Sequence, residues 1–417
     1  MKTMKRLMLA AVVAVGSVLV ASADSIHVDS VIQRWPWSNK TDITYTVDGG
    51  QDVAAGVFCR IVFNATIDGQ TYVIDGVTNV GANASSGTHT VTWTPPEGLR
   101  TDNCSMTATL LSATRPSGND YMIVNLQTGA ISYEGLLATQ SLSNERYNTA
   151  LYKTTNMVFR KIARTVDSSY PNGYQTGYSD SDIKNNSPTN WVTYKDYYIG
   201  IFPVTQAQYK EVKGSNPSGF KSDDSTRPWG MDYAVYRPVE TVSWNDLRGT
   251  DVAATNAPKS SAFLGLFNTL TANASGVTGF DLPTEVMFEI AQRAGNTGAY
   301  SWSGTEYTRA DCCIEGSNSG SHTCMVGVRQ PNGWGLYDTA GNVMEICLDD
   351  TSLEDMKDAP DPWTPAWSGS SASRRMRGGY LYNGEAWRPG FKASFRGSDT
   401  ASKAYSGYGF RMAFLEK

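Results

Sequence analysis

Histidine and cysteine, from which most soft-metal and nucleophilic sites are built, are scarce in this 417-residue chain. The three histidines, His27, His89 and His322, lie in separate segments, so no H-x-x-x-H or H-E-x-x-H metal motif exists. Six cysteines are present, and no cysteine follows Cys347. The sequence therefore disfavours a histidine-bound iron centre anywhere and a thiolate site near the C-terminus.

Long apolar runs are missing too, with one exception at the N-terminus. Lys2 and Lys5 open a cationic start, which is followed by an apolar run over 7–20 and by Ala-Ser-Ala at 21–23. This order predicts a removable signal peptide over residues 1–23, and hence a secreted, periplasmic or cell-surface protein. An uncleaved anchor is the alternative reading, but the run is short for a bilayer span. No later stretch predicts a membrane span in the mature chain.

The charge balance is acidic, with 35 basic against 40 acidic side chains. Binding to nucleic acid depends mainly on neutralising phosphates, so this balance speaks against a nucleic-acid partner. The 39 glycines, 22 tyrosines and 11 tryptophans predict a fold that is rich in loops and pinned by aromatic side chains.

The first part of the chain has the pattern of an all-β domain. Between residues 24 and 135, short segments alternate apolar and polar residues and are separated by Gly, Asn, Asp or Pro turns, which predicts an immunoglobulin-like sandwich. A polar stretch without periodicity, residues 136–156, is interpreted as a linker. A second, α+β module then occupies residues 157–417.

Disulfide bonds are expected if the chain is exported. Cys59 and Cys104 lie 45 residues apart, which would suit a bridge across the sandwich. The four later cysteines allow three pairings, and the sequence does not choose among them. The alternative is that some of the thiols are simply buried. These four are Cys312, Cys313, Cys324 and Cys347.

Only short helices are predicted in the second module. Thr205 and Thr284 are N-cap candidates, with Glu285 in the first turn where the helix dipole favours a carboxylate, and with Gly295 as a stop. A third helix is predicted from an apolar face made of Phe263, Leu266, Phe267 and Leu270.

Five sequence blocks follow one another in the second module. They are YYIGIFPVTQAQY (197–209), RPVETVSWNDLRG (237–249), FDLPTEVMFEIAQRAG (280–295), PNGWGLYDTAGNVMEI (331–346) and the stretch from MRGGYLY to GYGFRMAF (376–414). In this order and spacing they resemble the formylglycine-generating enzyme family, also called the sulfatase-modifying-factor family. The resemblance implies a loop-rich, C-type-lectin-like fold over about residues 157–417.

The resemblance also implies bound calcium. Its ligands would be the carboxylates of Asp338 and Glu345 with the backbone carbonyls of Gly341 and Val343. Hard oxygen donors on a tight turn suit Ca²⁺ better than a soft metal. The alternative is a turn whose acidic side chains are solvated or cap a helix.

The enzymes of this family oxidise a substrate cysteine with two thiolates that bind copper(I). Here those two positions fall on or near Asn383 and Arg388, which cannot act as thiolates. Copper is therefore not expected, and formylglycine chemistry is disfavoured. The sequence does not decide whether the protein is an enzyme, but the replacement of the two thiolates favours a protein that is not one.

A ligand-binding surface is the remaining hypothesis for the C-terminal stretch, with a peptide, protein or glycan as partner. Large rigid rings beside Asn, Arg and Glu are typical of recognition surfaces, although many of these rings could instead fill the interior. An oxidoreductase with a site rebuilt from Cys313, Cys324 or Cys347, and an extracellular structural module, are the alternatives. The ligand-binding candidates are Tyr382, Asn383, Glu385, Trp387, Arg388, Phe395, Arg396, Tyr405 and Tyr408.

Overall fold

The fold consists of two compact units, one of residues 1–115 with 137–143 and the other of residues 116–136 with 144–417. It is taken from a computed structural model. Of the predicted signal peptide at 1–23, only Val20 and Ala21 fall among the described residues. Those residues are 20–21, 26–34, 38, 40–47, 57–74, 87–95, 99–101, 104–114, 118–136, 146–163, 174–177, 190–192, 196–227, 230–250, 253–351, 372–381 and 390–415.

The first unit contains two antiparallel sheets around one apolar core. One sheet has the order β2-β3-β6 and the other β1-β7-β4-β5. Ile43 and Tyr45 of the first sheet are buried in one cluster with Ile61 and Phe63 of the second, because alternate side chains of each strand point to the core. The strands are β1 (Val20–Ala21), β2 (Ile26–Gln33), β3 (Thr41–Val47), β4 (Val57–Ile67), β5 (Gln70–Ile74), β6 (Gly87–Trp93) and β7 (Ser105–Thr114).

The expected disulfide between Cys59 and Cys104 does not form, and Cys104 is a free thiol. Strand register gives the reason: Cys59 lies opposite Ser112, whereas Thr66 lies opposite Ser105. The two cysteines are thus about eight residues apart along the strand pair, or about 27 Å. A disulfide needs Cα atoms within about 7 Å. The four later cysteines are free thiols as well.

The second unit is built on a six-stranded and a four-stranded sheet, of order β16-β21-β13-β10-β8-β9 and β19-β18-β17-β20, with two hairpins, β11-β12 and β14-β15. Its strands are β8 (Tyr121–Asn125), β9 (Ile131–Glu134), β10 (Asn156–Ile162), β11 (Tyr174–Thr176), β12 (Asn190–Val192), β13 (Tyr197–Gly200), β14 (Asp224–Arg227), β15 (Gly230–Asp232), β16 (Phe280–Asp281), β17 (Met344–Asp350), β18 (Ser373–Arg377), β19 (Gly397–Thr400), β20 (Tyr408–Gly409) and β21 (Ala413–Leu415).

Few helices accompany these sheets, so the unit is a sheet-rich mixture of α and β. The α-helices in the described part of the unit are α1 (Gln206–Lys213), α2 (Trp244–Arg248), α3 (Phe263–Ser275), α4 (Glu285–Arg293), α5 (Arg309–Cys312) and α6 (Gly316–Ser319). Short 3₁₀ turns occur at Leu151–Lys153 and Ala234–Tyr236. None of the helices in the described ranges has the length and apolar character needed to cross a bilayer.

The boundary between the units differs from the one predicted from sequence. Strands β8 and β9 were expected in the sandwich, but β8 pairs with β10 inside the six-stranded sheet. The predicted linker, 136–156, also contributes to this unit: Arg146 forms a buried ion pair with Glu134 at 3.2 Å, and the Tyr147 hydroxyl donates to the same carboxylate. Local alternation predicts strands correctly but cannot reveal which sheet they join.

Two of the predicted helix starts are confirmed by their caps. The Thr205 hydroxyl accepts the N–H of Gln208, and the Thr284 hydroxyl accepts the N–H of Met287. Helix α4 ends with Ala294 in the left-handed region at φ 49°, one residue before the predicted stop at Gly295. These short-range signals are readable because each involves residues within one turn.

The predicted apolar face of α3 divides into two parts. Phe263 and Phe267 are fully buried in the core. Leu266 and Leu270 are half-buried and, with Leu126 and Val212 among others, line an open groove of about 450 Å³. Helical spacing predicted a single buried face, whereas α1 covers only one side of it.

Gly265 gives a direct test of packing around α3. A Cβ at this position would come within 2.0 Å of the Lys259 carbonyl oxygen. We expect Gly265→Ala to lower the free energy of unfolding by about 1–3 kcal/mol, because overpacking outweighs the helix propensity gained. Denaturant unfolding measures the change, with Asn273→Ala on the exposed side of α3 as control. A stability equal to the control would contradict this packing.

Candidate ligand-binding site and its buried support

The four-stranded sheet carries buried arginines, and its two outer strands, β19 and β20, contribute to a tyrosine-rich surface. Glu345 of β17 lies opposite Arg377 of β18, and Met344 of β17 pairs in parallel with Tyr408 of β20. Asp399 lies on β19, opposite Arg374. One sheet therefore links buried charges to an exposed aromatic surface.

Helix α4 presents Glu285 to the arginines of this sheet. The Arg396 guanidinium binds Glu285 through two contacts of 2.7 Å, and Arg377 Nε lies 3.0 Å from the same carboxylate. Burial acts to raise the pKa of Glu285, but Arg377 and Arg396 outweigh it, so the pKa lies below its usual range. The charged carboxylate is the form that the network requires.

One turn along α4, Glu289 joins the same network. Its carboxylate accepts hydrogen bonds from Arg293 at 2.8 Å, from Arg377 at 2.9 Å and from the N–H of Gly177 at 2.6 Å. Arg377 also donates to the Ala393 carbonyl at 2.7 Å. Charge-assisted bonds of this kind are the stronger hydrogen bonds in proteins, and here they join α4, β11, β18 and the loop before β19.

Arg396, one of the predicted ligand-binding residues, belongs to this buried network. It is only 4% exposed and commits both sides of its fork to Glu285, so it supports the site from inside. Phe395 beside it is half-buried against the main core cluster. The structure therefore gives Arg396 a scaffold role, and the prediction for Phe395 stays a prediction.

Removing Arg396 tests the network. We expect Arg396→Ala to lower the free energy of unfolding by about 3–5 kcal/mol, since it removes one partner of a buried charge. Chemical denaturation of Arg396→Ala beside Lys403→Ala, an exposed cation nearby, measures the effect. Equal stability of the two variants would mean that the pair contributes nothing.

A second buried charge centre surrounds Glu345 and Asp338, the two predicted calcium carboxylates. Arg411 binds both oxygens of Glu345 at 2.7 Å. Asp338 accepts the N–H of Gly327 at 2.7 Å and the side-chain amide of Asn342 at 3.3 Å. Burial raises the pKa of each carboxyl, and the charge of Arg411 opposes the shift.

This centre also contains the Lys153 ammonium. Its side chain is buried, and burial lowers its pKa to about 8 while the charge of Asp338 opposes that shift. The ammonium lies 5.6 Å from the centre of the Phe202 ring, within the range of a cation–π contact. Two anions and two cations therefore share one interior region.

The carboxylate and carbonyl oxygens of this centre are of the chemical type that a hard cation binds. A carboxylate offers about four lone-pair positions, so Asp338 can accept more than its two present donors, whereas Glu345 is shared with Arg411. Within the described ranges, three or more His, Cys, Asp or Glu side chains nowhere converge as a metal site. A calcium ion would therefore depend on the backbone carbonyls of Gly341 and Val343 as much as on Asp338.

Glycines make the close approach of backbone segments possible here. Gly341 has φ 84°, and a Cβ would lie 2.3 Å from the Ile314 carbonyl oxygen. Gly378 and Gly379 of the RGG sequence have φ 87° and 66°, in the left-handed region that favours glycine. The Gly378 carbonyl accepts the N–H of Gly341 at 2.8 Å. The two sequence blocks thus meet through backbone contacts.

We call Tyr380, Tyr405, Tyr408 and Asp399 the tyrosine surface. The three rings contact one another edge to face, with centroids 5.2 to 6.2 Å apart. The Tyr408 hydroxyl donates to Asp399 at 2.9 Å. Burial raises the pKa of Tyr408, and the hydrogen bond to Asp399 adds to the rise. Tyr405, 37% exposed, is the outermost ring.

The structure accounts for four of the nine predicted ligand-binding residues. Tyr405 and Tyr408 belong to the tyrosine surface, whereas Arg396 is buried against Glu285 and Phe395 is half-buried against the main core cluster. The remaining five, all in the span 382–389, lie outside the described residues, as do both positions implied for the family's thiolates. These five are Tyr382, Asn383, Glu385, Trp387 and Arg388.

The segment Glu240–Val242 supports the tyrosine surface; it lies in the sequence block 237–249, but none of its residues was predicted as a site residue. The Thr241 N–H donates to the Tyr405 carbonyl at 3.0 Å, and Val242 forms an isolated β-bridge with Tyr405. Glu240 is fully buried and accepts the Phe220 N–H at 2.9 Å and the Thr241 hydroxyl at 2.6 Å. Only the three-dimensional fold brings these residues together.

Burial raises the pKa of Glu240 and outweighs the hydrogen bonds from Phe220 and Thr241 and the charge of Lys221, which oppose that rise. A raised folded-state pKa means that ionisation costs stability, so stability falls as pH rises through that pKa. Glu240→Gln replaces one accepting oxygen by an NH2 group, so it has a cost that does not depend on pH, but it also removes the cost of ionisation. We therefore expect the melting temperature of Glu240→Gln, relative to that of the native chain, to be more favourable at about pH 7 than at about pH 5. Thermal unfolding of both chains at the two pH values measures this difference. A difference that is independent of pH would contradict it.

The later cysteines are not arranged as thiolates. Burial raises the pKa of Cys312 to about 11 and of Cys324 to about 12, and raises those of Cys313 and Cys347 well above the usual range. The thiolate is the form that binds metal and acts as nucleophile. These cysteines therefore behave as packed, neutral side chains near neutral pH.

Fold and site together define a loop-rich, sheet-based α+β module with internal arginine–carboxylate networks. Residues 168–414, more than half of the chain, match the model of the sulfatase-modifying factor enzyme 1-like domain. The chain belongs to this family.

Two relatives and one solved structure give the extent of the similarity. The chaperone protein LppX of Paenibacillus barcinonensis is 29% identical over 42% of this chain and 66% of its own length. The formylglycine-generating enzyme of Streptomyces coelicolor is 32% identical over 48% of this chain and 59% of its own. The chain thus spans less than two thirds of each. The structure of Treponema denticola variable protein 1 aligns over 63% of this chain and 96% of its own, with 26% identity and a TM-score of 0.47.

Proposed function

We propose that this chain is a secreted ligand-binding protein that uses a sulfatase-modifying-factor scaffold without formylglycine chemistry. The tyrosine surface carries the proposal: three tyrosines and a carboxylate lie together on the four-stranded sheet and the chain beside it, with the outermost ring exposed. Tyrosine supplies large contact area at low conformational cost, which suits recognition. Secretion rests on the signal peptide that is predicted over residues 1–23.

The family's oxidative reaction is disfavoured by the distribution of thiols. Asn383 and Arg388 stand where the resemblance implies thiolates, and no cysteine occurs after Cys347. A site rebuilt from Cys313, Cys324 or Cys347 would need thiolates, whereas burial raises the pKa of each of these thiols. Binding is therefore a better account of the site than oxidation.

The partner is proposed to be a peptide, protein or glycan. One relative is called a chaperone and another a formylglycine-generating enzyme, and the first of these names describes a binding role rather than a reaction. The first unit, proposed to be immunoglobulin-like, would then be a spacer that presents a C-type-lectin-like second unit. An extracellular structural role for both units is the alternative.

Variants of the tyrosine surface test the proposal. The full chain would be used to select binders from a displayed peptide library and a defined glycan array, beside Tyr405→Ala and the exposed neighbour control Lys403→Ala. We expect binding to fall about tenfold or more with Tyr405→Ala and to persist with Lys403→Ala, because interface tyrosines are frequent hot spots. Binders that are indifferent to Tyr405 and Tyr408, or the absence of any binder, would favour the structural alternative.

Calcium is proposed as a structural ion held by Asp338 and the carbonyls of Gly341 and Val343, with Glu345 shared with Arg411. Its role would be to add positive charge to two buried carboxylates and to fix the turn that carries them. No chemical step is assigned to it.

Chelation tests the ion. We expect a chelator to lower the melting temperature of the native chain, because an ion that binds only the folded state stabilises it. The same chelator should leave Asp338→Asn with a much smaller change, since a carboxylate charge is lost. If the chelator leaves the melting temperature of the native chain unchanged, then no ion is bound, and Arg411 and Lys153 alone balance the charge of the two carboxylates.

A further inference from the structure

Thr241 adopts a backbone conformation that is unusual for its residue type. Its φ is 61°, in the left-handed region. A β-branched side chain is poorly accommodated there, so a residue of this type persists only where its surroundings hold it. Glycine or asparagine would adopt the same backbone with less strain.

Two hydrogen bonds hold Thr241 in this conformation. Its hydroxyl donates to Glu240 Oε2 at 2.6 Å, and its N–H donates to the Tyr405 carbonyl at 3.0 Å. Glu240 is itself fixed from the other side, because its carboxylate accepts the Phe220 N–H and its own N–H donates to the buried Ser218 hydroxyl at 3.1 Å. Thr241 therefore links the buried hydrogen bonds of Glu240 to the tyrosine surface.

The Tyr405 carbonyl is the group through which Thr241 contacts the turn. It accepts the Thr241 N–H and also the N–H of Tyr408 at 2.9 Å, which closes the turn between the two tyrosines. Gly407 lies in that turn, and a Cβ there would come within 2.4 Å of the Tyr380 ring. The Gly407 carbonyl accepts the N–H of Met344. The turn is thus held by β17 on one side and by Thr241 on the other.

We propose that Glu240 and Thr241 are positioning residues: they hold the Tyr405–Tyr408 turn in a single conformation and so preorganise the tyrosine surface for its ligand. The inference deepens the proposed function and rests on it for its biological meaning. A ligand that meets a preorganised turn does not have to order it on binding. Strain at Thr241 is then a cost of holding the turn in place.

Three substitutions at Thr241 separate the contributions. Thr241→Val keeps the branched shape but removes the hydroxyl, Thr241→Ser keeps the hydroxyl, and Thr241→Asn tolerates the left-handed conformation. Amide hydrogen exchange across residues 402–408 of the full chain reports whether the turn is held. Nitration of Tyr405 by tetranitromethane, quantified by peptide mass spectrometry, reports whether its ring keeps its exposure.

For Thr241→Val we expect the rate of amide exchange in 402–408 to rise about tenfold, and the extent of nitration of Tyr405 to differ from that in the native chain. The exchange rate in α4 should stay at its native value. Thr241→Ser should remain within about twofold of the native chain in both readouts. Thr241→Asn should keep the turn protected and raise the melting temperature.

The proposal is overturned if Thr241→Val leaves the turn as protected as in the native chain. It is equally overturned if Thr241→Ser loosens the turn as much as Thr241→Val, because the hydroxyl is then not what holds it. Should Thr241→Val fail to fold, the comparison of Thr241→Ser and Thr241→Asn with the native chain decides the matter: a loosened turn in both contradicts the proposal. None of these measurements uses a ligand, so their failure is distinct from a failure of ligand binding at Tyr405.

Discussion

Buried arginine–carboxylate pairing is the interaction on which the second unit depends. Arg377, Arg396 and Arg411 are almost wholly buried, and each is matched by a glutamate on another element: Glu285 and Glu289 on α4, and Glu345 on β17. A charge without its partner at such positions costs several kcal/mol. The pairs therefore specify which loops meet in a unit that has little regular structure to do so.

The same pairing separates the inside of the four-stranded sheet from the surface that is proposed to bind a ligand. Arginines on β18 and beside β19 turn inward to α4, while Asp399 and Tyr408 of the two outer strands meet through their side chains. The RGG and GFR sequences thus maintain the scaffold whether or not it is catalytic. None of these contacts uses a thiolate, which supports the binding function proposed for this chain.

Short-range features were the ones that sequence could predict. The caps at Thr205 and Thr284 and the alternating strand of β3 follow from residues within one turn or strand. Long-range features were not predictable: β8 and β9 belong to the second unit's sheet, and strand register separates Cys59 from Cys104. Arg396 looked like a ligand contact because its charge was visible and its buried partner, 111 residues away, was not. The strain at Thr241 leaves no sequence signal at all.

The central claim is that this scaffold recognises a ligand and does not oxidise cysteine. Incubating the full chain with copper(I), oxygen and a cysteine-containing peptide, followed by mass spectrometry of the peptide, tests it most directly. The account predicts that the peptide cysteine is not converted to formylglycine at a rate above that of copper alone. Copper-dependent conversion that requires the protein would contradict it.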